Sequence, residues 1–192
     1  MANPAPQIDK SMHKDIESAK RVLNEEAGAL RALSESIGEP FANAIEIIHT
    51  RKAETEKAPR GRLIVAGIGK SGHVARKIAA TLASTGTPSF FVHPGEASHG
   101  DMGMITKDDV VLMLSNSGEN PELSDLIHYT RRYNIPLIAM TSKPQSTLAN
   151  LADIVLLLPA IAEACPNGLA PTTSTTMMIA LGDALAVSLL ER

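Results

Sequence analysis

The chain has 192 residues, 44% hydrophobic and 20% charged, enough for one compact domain with a real core. A net charge of −3 and a pI near 6.1 give no general attraction to nucleic acid, so no nucleic-acid partner is expected. The single cysteine, Cys165, excludes an internal disulfide framework and fits a reducing compartment.

Ile16, Ala19, Leu23, Ala27, Leu30, Leu33 and Ile37 recur at helical spacing until Gly38 and Pro40 interrupt them. Phe41, Ala44, Ile45 and Ile48 mark one side of a second helix. These helices make an N-terminal unit, residues 1–60, expected to pack on the rest of the chain or in an oligomer. From residue 61 strands and helices alternate: strand 63–66, helix 71–84, strand 89–92 and a long glycine-rich loop, 93–103. Strand 110–114, helix 121–133, strand 136–140, a short helix near 145–151 and strand 154–158 follow. A second long loop, 159–171, leads to a final helix over about 175–190. The pattern predicts an α/β three-layer sandwich with a five-stranded parallel sheet and flavodoxin-like, nucleotide-binding topology, with 61–192 as one unit. No apolar leader follows Met1-Ala2-Asn3-Pro4. The apolar stretches 154–158 and 177–190 are cut by Pro159 or carry Asp183, short of the roughly 18 apolar residues of a bilayer span. A cytoplasmic protein without a membrane partner is therefore expected.

The run Val110-Val111-Leu112-Met113-Leu114 stops abruptly at Ser115-Asn116-Ser117-Gly118-Glu119. An unbroken apolar run marks a strand buried on both faces. In an open parallel sheet the loop where such a strand hands over to a helix is where ligands bind. Short hydroxyl and amide side chains, a glycine and a helix N-terminus suit an anion such as phosphate. The first strand ends in Gly67-Ile68-Gly69-Lys70-Ser71-Gly72, a formal match to the dinucleotide pattern G-x-G-x-x-G. The acidic residue that pattern wants after the second strand is missing, since His93-Pro94-Gly95 stands there. The phosphate-loop pattern fails too, because position 64 is Ile where glycine is needed. Two facing anion loops favour one small phosphorylated ligand.

With Ser84-Thr85-Gly86-Thr87-Pro88 and His93-Pro94-Gly95-Glu96-Ala97-Ser98-His99-Gly100-Asp101, these motifs resemble a sugar isomerase (SIS) domain. Glu163-Ala164-Cys165-Pro166-Asn167-Gly168-Leu169-Ala170-Pro171-Thr172-Thr173-Ser174-Thr175-Thr176 narrows the resemblance to the arabinose-5-phosphate isomerases, over roughly residues 19–191. The resemblance implies interconversion of D-ribulose 5-phosphate and D-arabinose 5-phosphate without a required cofactor. The product would feed 3-deoxy-octulosonate synthesis for lipopolysaccharide or capsule. Moving a carbonyl between C1 and C2 through an enediol needs a base beside the carbonyl and a partner for the enediolate oxygen.

The resemblance assigns Glu163 as the base; a solvated loop carboxylate is the plain alternative. Lys70 would neutralise the phosphate or the oxyanion, and its position near a helix start is unfavourable for an idle cation. Glu122 matches a residue important in the family, although acids favour helix starts anyway. His93 and His99 could shuttle protons to ring oxygens, or be ordinary hydrogen-bonded histidines. Ser71, Ser115, Ser117 and Asn120 match phosphate-gripping positions, with Asn116 presenting an amide nearby; Gly86 and Thr87 resemble a further sugar contact. The hydroxyl run 172–176 could add a hydrogen bond to the ligand, although capping of the last helix explains much of it. His93 matches a position associated with inhibitory zinc, though its spacing to His99 and Asp101 is no standard zinc site.

Full-length relatives of this kind continue to a His-Pro-Gly-Gly segment and a pair of CBS modules, while this sequence reaches Glu191-Arg192 with no histidine after His128. An excised domain would be expected to bind sugar phosphate and turn over poorly; a single-domain form working without those parts is the alternative. Two other readings stay open: an isomerase of another ketose phosphate, and a non-catalytic sugar-phosphate-binding regulator. Residues 1–62 hold ten Lys/Arg and ten Asp/Glu, which offers no basic face to DNA. The apolar surface of the N-terminal and last helices predicts a homo-oligomer, a tetramer.

Overall fold

Two helices, α1 (Lys10–Ser36) and α2 (Glu39–Lys52), precede the first strand in the computed structural model, which describes residues 10–52 and 61–192. Residues 1–9 and 53–60 of the expected N-terminal unit lie outside the described residues. The alternation then runs β1 (Leu63–Gly67), α3 (Gly69–Ser84), β2 (Ser89–Val92), α4 (Pro94–Ser98), β3 (Val110–Leu114) and α5 (Ser124–Tyr133). It ends with β4 (Leu137–Thr141), α6 (Thr147–Leu151), β5 (Ile154–Leu157) and α7 (Thr173–Leu190). All strands are parallel, in the order β2-β1-β3-β4-β5.

The sheet is covered on both faces, which is why β1, β3 and β4 are buried at every position. Alternate residues supply two cores. Leu63, Val65, Leu112, Leu114, Ile138 and Met140 face α1, α2, α3 and α7. Ile64, Ala66, Val111, Met113, Leu137 and Ala139 face α4, α5 and α6. The N-terminal helices share the first core through Ala29, Leu33, Ala44, Ile45 and Ile48. The apolar stripe read along α1 is covered only in its second half. Met12, Ile16 and Leu23 are exposed.

The order reverses direction between β1 and β3, whose ends lie side by side with Gly67 opposite Leu114. A crevice opens at such a point because the two chains leave the sheet on opposite sides. At the other end of these strands Asp109, buried to 1%, accepts hydrogen bonds from Arg62 and from the Thr106 amide and hydroxyl, tying the starts of β1 and β3 together.

Several boundaries shift for local reasons. The loop expected at 93–103 contains α4, which has proline at its first position, and a 3-10 turn at Asp101–Met104. The helix expected from 121 begins as a 3-10 turn, Pro121–Leu123. Among the described residues α7 is long and apolar enough, by length and composition, to cross a bilayer, contrary to the expectation drawn from Asp183. Half of it is buried in this fold, and Asp183 pairs with Lys77 of α3.

Candidate functional site

The crevice at the β1/β3 switch is a cleft of about 260 Å³ lined by Ile68, Lys70, Ser71, Leu114–Ser117, Asn120, Leu123 and Pro171. Its floor is the β1–α3 turn. Glycine is required there because a Cβ at residue 72 would lie 2.7 Å from the Gly67 carbonyl oxygen, so α3 can start hard against the strand. Ile68 precedes α3 without a side-chain cap, which leaves first-turn amides for an anion. Lys70 is exposed in that turn, and half-buried Ser71 points its hydroxyl toward the Met178 sulfur at 3.8 Å.

The opposite wall is the loop after β3. Ser115 Oγ and Ser117 Oγ each donate to Asn120 Oδ1 at 3.2 Å. The same hydroxyls accept from the amides of Gly118 (3.0 Å) and Glu119 (3.3 Å). Gly118 sits at φ +68°, and a Cβ there would fall 2.1 Å from Ser146 Oγ, so only glycine lets the loop fold back. Hydroxyls from both loops, an ammonium group and a free helix start converge on one polar recess. Such a recess suits a phosphate.

Lys70, Ser71, Ser115, Asn116, Ser117 and Asn120 are thus brought together. The remaining residues singled out from the sequence are not in the lining. Glu122 is exposed in the 3-10 turn between Asn120 and Leu123. His93 follows β2 at the same edge of the sheet, because Val92 pairs with Ala66. Its Nδ1 accepts from the Gly95 amide at 3.2 Å and caps α4, so a neutral ring carries its proton on Nε2. His99 is exposed at the end of α4. Among the described residues no group of three or more His, Cys, Asp or Glu is arranged to hold a metal. Among those residues His93 therefore has no companions for a zinc site.

Gly86 and Thr87 are placed apart from these residues. They lie between α3 and β2, at the amino edge of the sheet, whereas the cleft is at the carboxyl edge. Thr87 is 1% exposed, and its hydroxyl has no partner among the described residues. Neither residue reaches the cleft of its own chain.

Glu163 is placed differently from a free base. One carboxylate oxygen accepts from the Thr172 amide (2.7 Å), the Thr172 hydroxyl (3.2 Å) and the Ser174 amide (3.2 Å). The other accepts from the Ser174 hydroxyl. Burial works to raise its pKa, but the Ser174 hydroxyl, the two amides and the Thr172 hydroxyl outweigh burial and hold it below the ordinary 4.5. The carboxylate, not the hydroxyl run 172–176, caps α7; Thr172 makes no side-chain cap. Glu163 lines a neighbouring cavity with Arg21, Glu25 and Cys165, and Arg21 donates to the Ala164 carbonyl at 3.1 Å, docking the loop on α1. Only Pro171, next to the capped Thr172, carries this loop to the cleft.

Fold, switch-point cleft and paired polar loops define an α/β domain of the doubly wound class with a recess suited to an anion. The SIS domain family matches residues 57–188, and the chain belongs to that family. It is 55% identical to arabinose 5-phosphate isomerase KdsD of Pseudomonas aeruginosa, over 92% of this chain and 52% of that protein. Identity to the KdsD of Yersinia pestis is 53%, over 91% of this chain and 51% of the relative. The chain spans about half the length of these curated relatives. Among solved structures, E. coli CFT073 c3406 in complex with A5P superposes with a TM-score of 0.85 at 40% identity, covering 93% of this chain and 91% of that one.

Proposed function

We propose that this chain is the isomerase unit of an arabinose 5-phosphate isomerase, interconverting D-ribulose 5-phosphate and D-arabinose 5-phosphate through an enediolate. The observation that carries this reading is the convergence of Lys70, Ser71, Ser115, Ser117 and Asn120 on one cleft at the switch point. Similarity to the KdsD proteins and to the A5P-bound c3406 structure supports the choice of sugar. In this reading the phosphate takes the amides of the α3 start and the serine hydroxyls, which turn from Asn120 Oδ1 toward it. Lys70 balances its charge, or that of the enediolate oxygen.

Glu163 is the proposed base, removing the proton beside the carbonyl and returning it to the neighbouring carbon. Its lowered pKa keeps it ionised at neutral pH, as a base must be. Glu122 orients the sugar, and His93 and His99 serve proton traffic at ring opening. No cofactor is invoked, and an inhibitory zinc at His93 would need ligands beyond those the described residues gather there. The reaction would stand in a cytoplasmic route to lipopolysaccharide or capsule.

The hydrogen-bonded state of Glu163 favours one rival, a domain that binds sugar phosphate without converting it. Incubation with ribulose 5-phosphate in deuterium oxide separates the two. Arabinose 5-phosphate deuterated at C2 is expected; binding without turnover would favour the regulator, and an absence of binding would sink both. The exposed Met12, Ile16 and Leu23 on α1, with Leu169 and Leu190, support assembly into a homotetramer. Light scattering that returned only the 20.3 kDa monomer at micromolar concentration would defeat that part.

A further inference from the structure

Glu119 closes the serine loop, yet its side chain lies outside the cleft lining, in an adjoining recess with Lys143, Pro144, Gln145 and Ser146 that shares Ser117 with the cleft. One carboxylate oxygen accepts from the Thr147 amide and the other from the Thr147 hydroxyl, both at 2.7 Å. The Gly118 carbonyl accepts from the Leu148 amide at 3.1 Å, and Ser146 Oγ accepts from the Ala149 amide at 3.3 Å. The first three amides of α6 are therefore satisfied, two of them by the serine loop. At the loop's other end the Asn116 carbonyl accepts from the Ser142 amide (3.2 Å), the Thr141 hydroxyl (3.2 Å) and the Ser142 hydroxyl (3.0 Å). Segment 141–148 thus grips the loop on both sides of Ser117.

A carboxylate this close to a phosphate site is electrostatically adverse, since like charges repel. The Thr147 hydroxyl and amide hold Glu119 below the ordinary carboxylate value, so it stays charged while making these bonds. An adverse charge is tolerated when its hydrogen bonds do something the site needs.

We propose that Glu119 is a positioning residue of the sugar-phosphate site, clamping the serine loop to α6 so that Ser115, Ser117 and Asn120 stand ready for the phosphate. This rests on the sugar-phosphate reading of the cleft. Its consequence has the opposite sign to simple electrostatics: a bystander acid, once removed, leaves phosphate bound more tightly, whereas a lost clamp weakens binding.

The test compares wild type, Glu119→Gln, Glu119→Ala and Thr147→Val by calorimetric titration with arabinose 5-phosphate, by steady-state kinetics and by amide hydrogen exchange over residues 115–119. Glu119→Ala is expected to weaken binding and raise KM about tenfold, the equivalent of one lost charge-assisted hydrogen bond, with kcat nearly unchanged and the loop amides exchanging faster. Glu119→Gln keeps an acceptor for the Thr147 amide and should recover most of the affinity. Thr147→Val loses only the hydroxyl and should fall between. Equal or tighter binding by Glu119→Ala, or a fall in thermal stability with KM unmoved, overturns the proposal. Wild type failing to bind would sink the sugar-phosphate reading itself. Unchanged exchange in Glu119→Ala would sink the clamp independently of any ligand.

Discussion

Replacing Glu163 by alanine tests whether this residue holds the last helix as well as serving chemistry. The carboxylate satisfies the amides of Thr172 and Ser174 and engages both of their hydroxyls. Alanine leaves those amides without their acceptor at the start of a helix whose Met177, Met178, Leu181 and Leu185 are core residues. Loss of a helix cap costs about 0.5–2 kcal/mol, and the buried setting of Ser174 argues for the upper part of that range. For a chain of this size, about 2 kcal/mol corresponds to a fall in Tm of roughly 4–8 °C. Glu163→Gln keeps one acceptor oxygen and should lose about half as much stability while abolishing turnover. Because the folded pKa lies below 4.5, the stabilisation is complete above that value and is lost as pH falls through the lower folded value. Urea denaturation should therefore show a deficit for Glu163→Ala that is full at neutral pH and shrinks below pH 4.5. An unchanged midpoint at neutral pH would refute the cap. Phosphate binding lost together with turnover in Glu163→Gln would refute the division of labour between this loop and the cleft.

Gly118→Ala combines a left-handed backbone with a Cβ placed 2.1 Å from Ser146 Oγ, so phosphate binding measured by calorimetry should fall at least tenfold, by about 1.4 kcal/mol or more. Wild-type affinity would show that the loop does not need its present shape. Lys70→Gln should weaken arabinose 5-phosphate binding about tenfold and flatten its salt dependence, read by titration at two ionic strengths. Asp109→Asn breaks a buried cluster far from the cleft. It should cost about 3 kcal/mol in urea denaturation at pH 7 while leaving KM unchanged. Burial works to raise the Asp109 pKa, but Arg62 and the amides of Thr106 and Arg62 lower it overall, so this deficit too should fade on acidification.

Much of the architecture was legible because its signals are local. Val110–Leu114 is apolar at every position and is buried at every position, and the polar residues at its end could only be a loop. Gly67–Gly72 declared a tight turn into a helix, and the two loops met once β1 and β3 became neighbours. Boundaries slipped where a distant group set them: α7 starts at Thr173 because Glu163 supplies its cap from nine residues upstream. The covered and bare halves of α1 could not be told apart, since Leu23 and Leu33 read alike and only packing separates them.

By itself the sequence determined a doubly wound parallel sheet with two polar loops at its strand ends, because burial on two faces and turn chemistry leave their mark on neighbouring residues. Tertiary structure alone decided which motif residues share a site. Parallel strands send every strand end to one edge and every strand start to the other, so Ser115 joins Lys70 while Thr87 is carried to the far side. It also joined Glu119 to Thr147 across 28 positions. No periodicity reports such a contact, because it exists only when two crossovers of the same sheet lie side by side.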